Sequence, residues 1–274
     1  MIMTTPTHSP EIESLLEAVE EVGAVDYRGW SSAFLASRIA ERVAAEGLGG
    51  VPELTTRIRL DRSVLERLVI ALAGGPVHPF ADVEWARALR RDVVPRLRTY
   101  PSVNIWHPGC GTGADVYTTA IVLREEGLLE RTRIYATDVS EIVLAAARKA
   151  VLEEWPDELP QRYREAGGTQ SLDEYYQRVG SAMGVRPLLR DAVVFAVHSF
   201  ASDASFNEFH LIVCQRQIER FGPALQRRTY GVLVDSLCRF GFLAVGRDDM
   251  PGRGPIRDSF QVVKPEVELY RRLP

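Results

Sequence analysis

The sequence predicts a doubly wound α/β domain preceded by a small all-helical unit, on three observations. Residues 11–98 carry the apolar spacing of helices throughout. From residue 103 onward, apolar strands alternate with helices of roughly 10–15 residues, the pattern of βαβ units on a parallel sheet. A glycine-rich turn follows the first of these strands, at the sheet edge where such folds bind ligands. We expect a helical domain with its connecting helix at residues 1–98 and a Rossmann-like domain at residues 99–274.

The composition excludes several classes of protein. Of 274 residues, 46% are hydrophobic and 26% are charged, which is ordinary for a globular chain. The net charge of -4 argues against a nucleic-acid binder, which needs a basic surface. The chain shows no secretory signal and no uninterrupted apolar stretch approaching the 18 or so residues of a membrane span. Three cysteines without metal-ligand spacing favour a reducing compartment. We therefore expect a soluble cytoplasmic protein without metal, nucleic-acid or membrane partners.

The N-terminal unit has four helix signals. Ile12, Leu15, Leu16 and Val19 follow the spacing i, i+3, i+4, i+7 of an amphipathic helix. The second helix begins near a serine cap and ends at Gly47. The remaining signals are a helix over 63–75 that ends in two glycines, and a connecting helix over 83–97 with a proline near its end.

The C-terminal half predicts strands separated by helices. The predicted strands cover residues 103–107, 133–138, 192–198, 209–214 and 242–246, and the tail 259–273 is expected to add antiparallel strands. The predicted helices cover residues 116–127, 140–154 and 223–241. Residues 156–191 are broken by Pro and Gly, and short strands or a lid are possible there. Asp248 and Asp249 are assigned to a loop.

The turn at residues 107–113, HPGCGTG, and the acid after it indicate an adenosine-type cofactor site. Its glycines allow a sharp turn and a close backbone approach to a ligand. Asp138 ends the next strand, where a carboxylate can bind ribose hydroxyls. The spacing also satisfies the GxGxxG/A fingerprint of nicotinamide enzymes, but GxGxG after a helical unit is typical of S-adenosylmethionine (SAM) methyltransferases. The alternative is a tight turn with a helix cap and no ligand.

Four segments carry a resemblance to a known family. They are IWHPGCGTGADVYTTA at 105–120, IYATDVSEIVLAAAR at 134–148, FHLIVCQRQIERF at 209–221 and GFLAVG at 241–246. In this order and spacing, the chain resembles the CheR-like, chemotaxis-receptor-type methyltransferases over nearly all of residues 11–274. The resemblance implies a class I SAM-methyltransferase fold, SAM as cofactor and S-adenosylhomocysteine (SAH) as product.

The resemblance also implies the cofactor-binding residues. The turn would face the methionine part, Asp115 its amino group, and Asp138 the ribose. Ser199 and Phe200 would lie near the adenine, and three residues after the fourth strand would border the methyl group. The full set of expected cofactor-binding residues is His107, Gly109, Cys110, Gly111, Asp115, Asp138, Val139, Ser199, Phe200, Cys214, Gln215 and Arg216.

The acceptor side departs from the family pattern. The positions of the family's Asn, Thr and Arg in its N-terminal segment hold Gly75, Val77 and Ala81, and Arg220 stands where the family has a tyrosine near the methyl. We therefore expect a carboxylate, hydroxyl or amine acceptor, on a small molecule of specialised metabolism or a peptide, and no chemoreceptor. The alternatives are a CheR-type protein-glutamate O-methyltransferase and a catalytically silent SAM- or SAH-binding protein. A nicotinamide oxidoreductase is disfavoured by the N-terminal unit.

The candidate catalytic residues are His78, His198 and Arg220. Three of the five histidines fall around the expected cleft, and His78 or His198 is the best candidate for a general base toward a non-glutamate acceptor. The alternative is that they pack or bind loop backbone. Arg216 and Arg220 could together hold an anionic substrate, or they could be solvated or ion-paired with acids. Nothing in the sequence specifies an oligomeric state.

Overall fold

The N-terminal unit consists of four helices. The computed structural model describes residues 8–75, 77–247, 249–250 and 254–274, so Asp248 of the predicted loop lies outside it. The four helices are α1 (Pro10–Gly23), α2 (Ser32–Ala45), α3 (Val51–Leu60) and α4 (Arg62–Leu72). Side chains cap three of them, because the oxygens of Ser9, Ser31 and Asp61 accept first-turn backbone N–H groups. α3 was not predicted.

The connecting helix is continuous but not regular. It comprises α5 (Val83–Ala88), a π-helical segment (Leu89–Val93) and α6 (Val94–Leu97). Pro95 cannot donate the hydrogen bond of a regular helix, and the wider π turn just before it accommodates that missing donor. The prediction of a helix over these residues is confirmed. The helix packs in the same apolar cluster as the central sheet, and the predicted boundary at residue 98 stays a prediction.

The C-terminal half is a seven-stranded sheet flanked by helices. Its elements are β1 (Val103–Pro108), α7 (Ala114–Glu125), β2 (Thr132–Asp138), α8 (Glu141–Lys149), β3 (Val151–Leu152), α9 (Leu159–Glu165), β4 (Tyr176–Val179), β5 (Ala182–Val185), α10 (Pro187–Arg190), β6 (Val193–Val197), β7 (Phe209–Cys214), α11 (Pro223–Ser236), β8 (Leu237–Val245), α12 (Pro255–Asp258), β9 (Phe260–Lys264) and β10 (Leu269–Arg272).

The order of the large sheet is β6-β2-β1-β7-β8-β10-β9. The first five strands run parallel, and β10 pairs antiparallel with both β8 and β9. The strand order reverses between β1 and β7, which places the ligand crevice at their carboxyl ends. This topology confirms the predicted doubly wound, class I methyltransferase fold with its antiparallel tail.

Each face of the sheet has its own apolar core. Trp106, Ile212 and Leu243 point to the face that packs with α1–α4, α8 and α11. The alternate residues Ile105 and Leu211 point to the other face, with the connecting helix and α7. The N-terminal helices therefore share a core with the central sheet.

Residues 151–191 contain a small antiparallel sheet of three strands, in the order β3-β5-β4, together with α9 and α10. Glu125, at the end of α7, connects this sheet to the main domain: it forms an ion pair with Arg90 and accepts hydrogen bonds from the hydroxyls of Tyr163 and Tyr175. Arg90 in turn donates from Nε to the carbonyl of Ala166 at 2.9 Å. The sequence had left short strands open as one possibility here.

Two helix predictions were too long. The helix predicted over 140–154 ends at Lys149, because Ala150 adopts the left-handed conformation (φ 52°) and Val151 then pairs with Gly184. The helix predicted to reach residue 241 ends at Ser236, because Leu237 begins strand β8 beside Phe209. No helix in the described part of the chain combines the length and apolar character that crossing a membrane requires.

Candidate active site

The glycine turn lies at the carboxyl edge of the sheet, between β1 and α7. Gly109 (φ 61°) and Gly111 (φ 53°) occupy the left-handed region, which side-chain-bearing residues rarely adopt. The backbone N–H of Cys110 donates to the carbonyl of Thr137 at 2.9 Å, which fixes the turn against the end of β2. The turn therefore presents bare backbone to the crevice.

Asp138 is buried beneath this turn. Its Oδ2 accepts the N–H of Gly111 and its Oδ1 accepts the N–H of Ser140, both at 3.2 Å. Burial raises the pKa of Asp138 from its ordinary value of 3.8 to about 6, against the opposing effect of those hydrogen bonds. The carboxylate is thus oriented by backbone, although it lines neither of the two cavities described next.

One end of the crevice has an apolar, aromatic character. A cavity of about 50 Å³ lies there, bordered by Val139, Ser199 and Phe200 among others. His198 also borders it, but its ring packs edge-on against Trp106, with centroids 5.1 Å apart, and its Nε2 lies 3.2 Å from the carbonyl of Ala204. Burial lowers the pKa of His198. We refer to this space as the aromatic cavity.

The other end is polar and charged. A cavity of about 30 Å³ is lined by the turn, Asp115, Gln215, Arg216 and Arg220. Asp115 and Arg216 form an ion pair, and Arg216 takes the left-handed conformation (φ 55°) to reach it. Burial raises the pKa of Asp115, an effect that Arg216 opposes. We refer to this space as the polar cavity.

Gln217 separates the two cavities. Its side chain lies over Gly109, where an added Cβ would collide with Nε2 and Cδ of the glutamine. The residue is 6% exposed, and its Oε1 is buried without a hydrogen-bond partner. Each cavity is far smaller than the several hundred Å³ of a typical small-molecule site. No sequence pattern indicated this position.

The N-terminal unit forms one wall of the crevice. Ser31 donates its N–H to the carbonyl of Arg220 at 2.8 Å, and Gly222 donates to the carbonyl of Gly29 at 2.9 Å. Between them, the rings of Trp30 and Phe221 pack with centroids 5.6 Å apart. No sequence pattern predicts this pairing, because it joins a loop of the helical unit to the segment after β7.

A larger groove opens beside the turn. It has a volume of about 520 Å³ and shares Val77, Thr112 and Ala114 with the polar cavity. His78 is exposed on its wall. His78 and His198 therefore lie in different spaces, separated by the glycine turn.

The structure brings most of the expected site residues together. Those that line one of the two cavities are Gly109, Cys110, Gly111, Asp115, Val139, His198, Ser199, Phe200, Gln215, Arg216 and Arg220. His107, Asp138 and Cys214 are buried and line neither. Burial lowers the pKa of His107 to about 3, so this residue is neutral at pH 7. Among the described residues, no group of three or more His, Cys, Asp or Glu could hold a metal ion.

The comparisons with known proteins agree with this geometry. Residues 79–265 match the family "CheR methyltransferase, SAM binding domain". The chain is 37% identical over 264 residues, 96% of each chain, to a Pseudomonas putida protein provisionally named methyltransferase Cher3. It is 27% identical over 160 residues, 58% of each chain, to a chemotaxis protein methyltransferase of Listeria innocua. The chain therefore belongs to the CheR family and is a SAM-dependent methyltransferase.

Proposed function

We propose that the methyl acceptor is a small molecule bound in the groove beside the glycine turn. The observation that supports this proposal is the groove itself, whose volume of about 520 Å³ falls in the range of small-molecule sites. Because it shares Val77, Thr112 and Ala114 with the polar cavity, an occupant would lie next to the methionine end of the cofactor.

The lining of the groove suits an amphipathic acceptor. Its apolar part includes Val77, Pro79, Tyr117, Leu152 and Val185. Its ionisable side chains are those of His78, Lys149, Glu153 and Glu154. An apolar body with a few polar groups is the usual composition of a site for a small organic molecule. Among these side chains, we propose His78 as the general base for a hydroxyl or amine acceptor.

The residues of the crevice fit SAM. The glycine turn allows close approach, and Asp138 is held in place by two backbone N–H groups for a role at the ribose. When bound, SAM supplies an electrophilic methyl group on a sulfonium. The protein's task is then alignment and exclusion of water, and alignment alone can contribute on the order of 7–11 kcal/mol. For both cavities to join, the Gln217 amide has to leave its place over Gly109.

The cysteines take no part in this proposal. Burial raises the pKa of Cys110 well above its ordinary value and also raises that of Cys214, so neither thiol forms a thiolate near neutral pH. His198 is also a weaker candidate than His78, because it lies in the aromatic cavity, away from the groove, and packs on Trp106. We propose for it a packing role beside the adenine site.

A second candidate function is methylation of a protein glutamate. It is favoured by the chemotaxis protein methyltransferases of Listeria, which match 58% of this chain. A carboxylate acceptor is already ionised at pH 7 and needs no base. Ala81 and Arg220 at the family's arginine and tyrosine positions count against it.

Transfer of a labelled methyl group distinguishes the two candidates. The protein would be incubated with labelled SAM and either a panel of small amines, phenols and carboxylic acids, or the cytoplasmic domain of a chemoreceptor. Our proposal expects label on a small acceptor and a large loss of rate in His78→Ala for amines and phenols, with SAH affinity unchanged. Base-labile label on the receptor alone would instead support the glutamate enzyme and refute our proposal.

A further inference from the structure

Arg220 is a cation buried beside the polar cavity. It ends the 3-10 turn that follows β7 and is only 7% exposed. Its side chain reaches the C-terminus of α4, where a Cβ added at Gly74 would collide with Nη2. The guanidinium carbon lies 5.8 Å from the ring centroid of Phe34. The guanidinium therefore lies between Phe34 of α2 and Gly74 after α4, and it lines the polar cavity together with the glycine turn.

Within the described residues, Arg220 has no ion-pair partner. Its Nη1 is buried without a hydrogen-bond partner. Asp138 favours the charged form of Arg220 electrostatically but does not come within ion-pair distance. The neighbouring arginines differ, because Arg216 pairs with Asp115 and Arg38 pairs with Glu41 at 2.8 Å.

An arginine stays protonated near neutral pH even when it is buried. Burial lowers the pKa of Arg220 to about 10, which still leaves it charged at pH 7. A buried charge without a partner is strongly unfavourable, and proteins avoid it unless a ligand supplies the counter-charge. The position of Arg220 thus calls for an anion in the polar cavity, which it lines.

The cofactor carries only one anionic group, its α-carboxylate, together with a sulfonium and an ammonium. A guanidinium in the same cavity attracts the first and repels the other two. We propose that Arg220 binds the α-carboxylate of SAM and SAH, so that the residue anchors the cofactor and does not handle the acceptor. The planar guanidinium and the carboxylate match in a bidentate pair. Asp115, already oriented by Arg216, remains for the ammonium.

Calorimetry with SAH and with its decarboxylated analogue tests this assignment without any acceptor. Arg220→Gln should weaken SAH binding roughly 10- to 100-fold, the effect of losing a charge-assisted hydrogen-bonded pair. The decarboxylated analogue should bind the wild type and Arg220→Gln equally. Arg220→Lys should recover part of the SAH affinity. Arg38→Gln is the matched control, since Arg38 lies 5.6 Å from the same Phe34 ring but is ion-paired at the surface.

Thermal unfolding separates binding from folding. Arg220→Met should leave the apo protein as stable as the wild type or more stable, because it removes an unpaired buried charge. The same variant should lose most of the stabilisation by SAH. Equal weakening of SAH and its decarboxylated analogue would overturn the proposal, as would unchanged SAH affinity with a raised KM for the acceptor. Binding of SAH to the wild type is measured in the same series. If the wild type does not bind SAH, the Arg220 proposal fails because its ligand is wrong, whatever the acceptor is.

Discussion

Asp138→Asn is the change whose effect on stability can be worked out in most detail. The two side chains have nearly the same shape, so the substitution removes the charge without leaving a cavity. Asp138 accepts two backbone N–H groups, from Gly111 and Ser140. Asparagine has one acceptor oxygen, and one of these N–H groups therefore loses its partner.

Two opposing contributions set the change in the free energy of unfolding that Asp138→Asn causes. Leaving one buried N–H without a partner costs about 1–3 kcal/mol at every pH. In the wild type, burial raises the pKa of Asp138 from 3.8 to about 6, so the folded protein holds the proton more tightly than the unfolded chain. The contribution of Asp138 to the free energy of unfolding therefore falls by roughly 3 kcal/mol as the pH rises from about 4 to about 6, and this contribution does not change further above that pH. Asparagine does not titrate, so the free energy of unfolding of the variant does not fall for this reason.

The assay is urea unfolding of the wild type and Asp138→Asn between about pH 4 and pH 8. The variant should be the less stable protein at the acid end and equal to or more stable than the wild type near neutrality. Asp61→Asn is a control with the opposite sign. Hydrogen bonds from Ser63 lower the pKa of Asp61, so its contribution is present above the unfolded-state pKa and is lost as the pH falls. Parallel pH profiles for the wild type and Asp138→Asn would refute the reasoning.

Three further predictions concern the crevice and its support. Gln217→Ala should tighten SAH binding several-fold in calorimetry, because no side chain then has to leave the turn; weaker binding would show that the amide contacts the ligand. Gly127→Ala should cost about 1–2 kcal/mol in urea unfolding because of its positive φ and leave SAH binding unchanged, because its Cβ meets open space; Gly109→Ala should cost at least as much, since its Cβ also displaces Gln217, and should weaken SAH. Glu125→Gln should lower stability by about 1–3 kcal/mol, as it weakens the bonds to Arg90, Tyr163 and Tyr175 while Glu126 still pairs with Arg90, and proteolysis should then cut first within residues 151–191; an unchanged midpoint would contradict this.

The sequence predicts the central parallel strands β1 and β7 well because they are buried on both faces and read as continuous apolar runs. It misplaces the ends of α8 and α11 for a physical reason. α8 ends because Ala150 takes a left-handed conformation (φ 52°), which alanine rarely adopts, and α11 ends because Leu237 pairs with Phe209 of the neighbouring strand. α3 was missed because its only buried residues are Leu54, Thr55 and Ile58, which is too short a pattern to recognise.

Part of the candidate site could also be predicted from the sequence, and part could not. The turn and Asp138 could be predicted, because they depend on local chain geometry at a strand end. The place of Gln217 over Gly109 depends on a side-chain conformation in the folded protein. The unpaired state of Arg220 depends on which acids fail to reach it. These are properties of tertiary packing, which one sequence does not display.

The pairing of residues 29–31 with residues 220–222 has a practical consequence for work with fragments. The family match begins at residue 79, so a truncated protein cut to that span would retain the whole turn while lacking Trp30 and the carbonyl of Gly29. The cavity beside Val139 and Phe200 is in this sense formed by both halves of the polypeptide. We expect that grafting the Rossmann-like half onto another helical partner would transfer the fold but leave this cavity without its Trp30 wall.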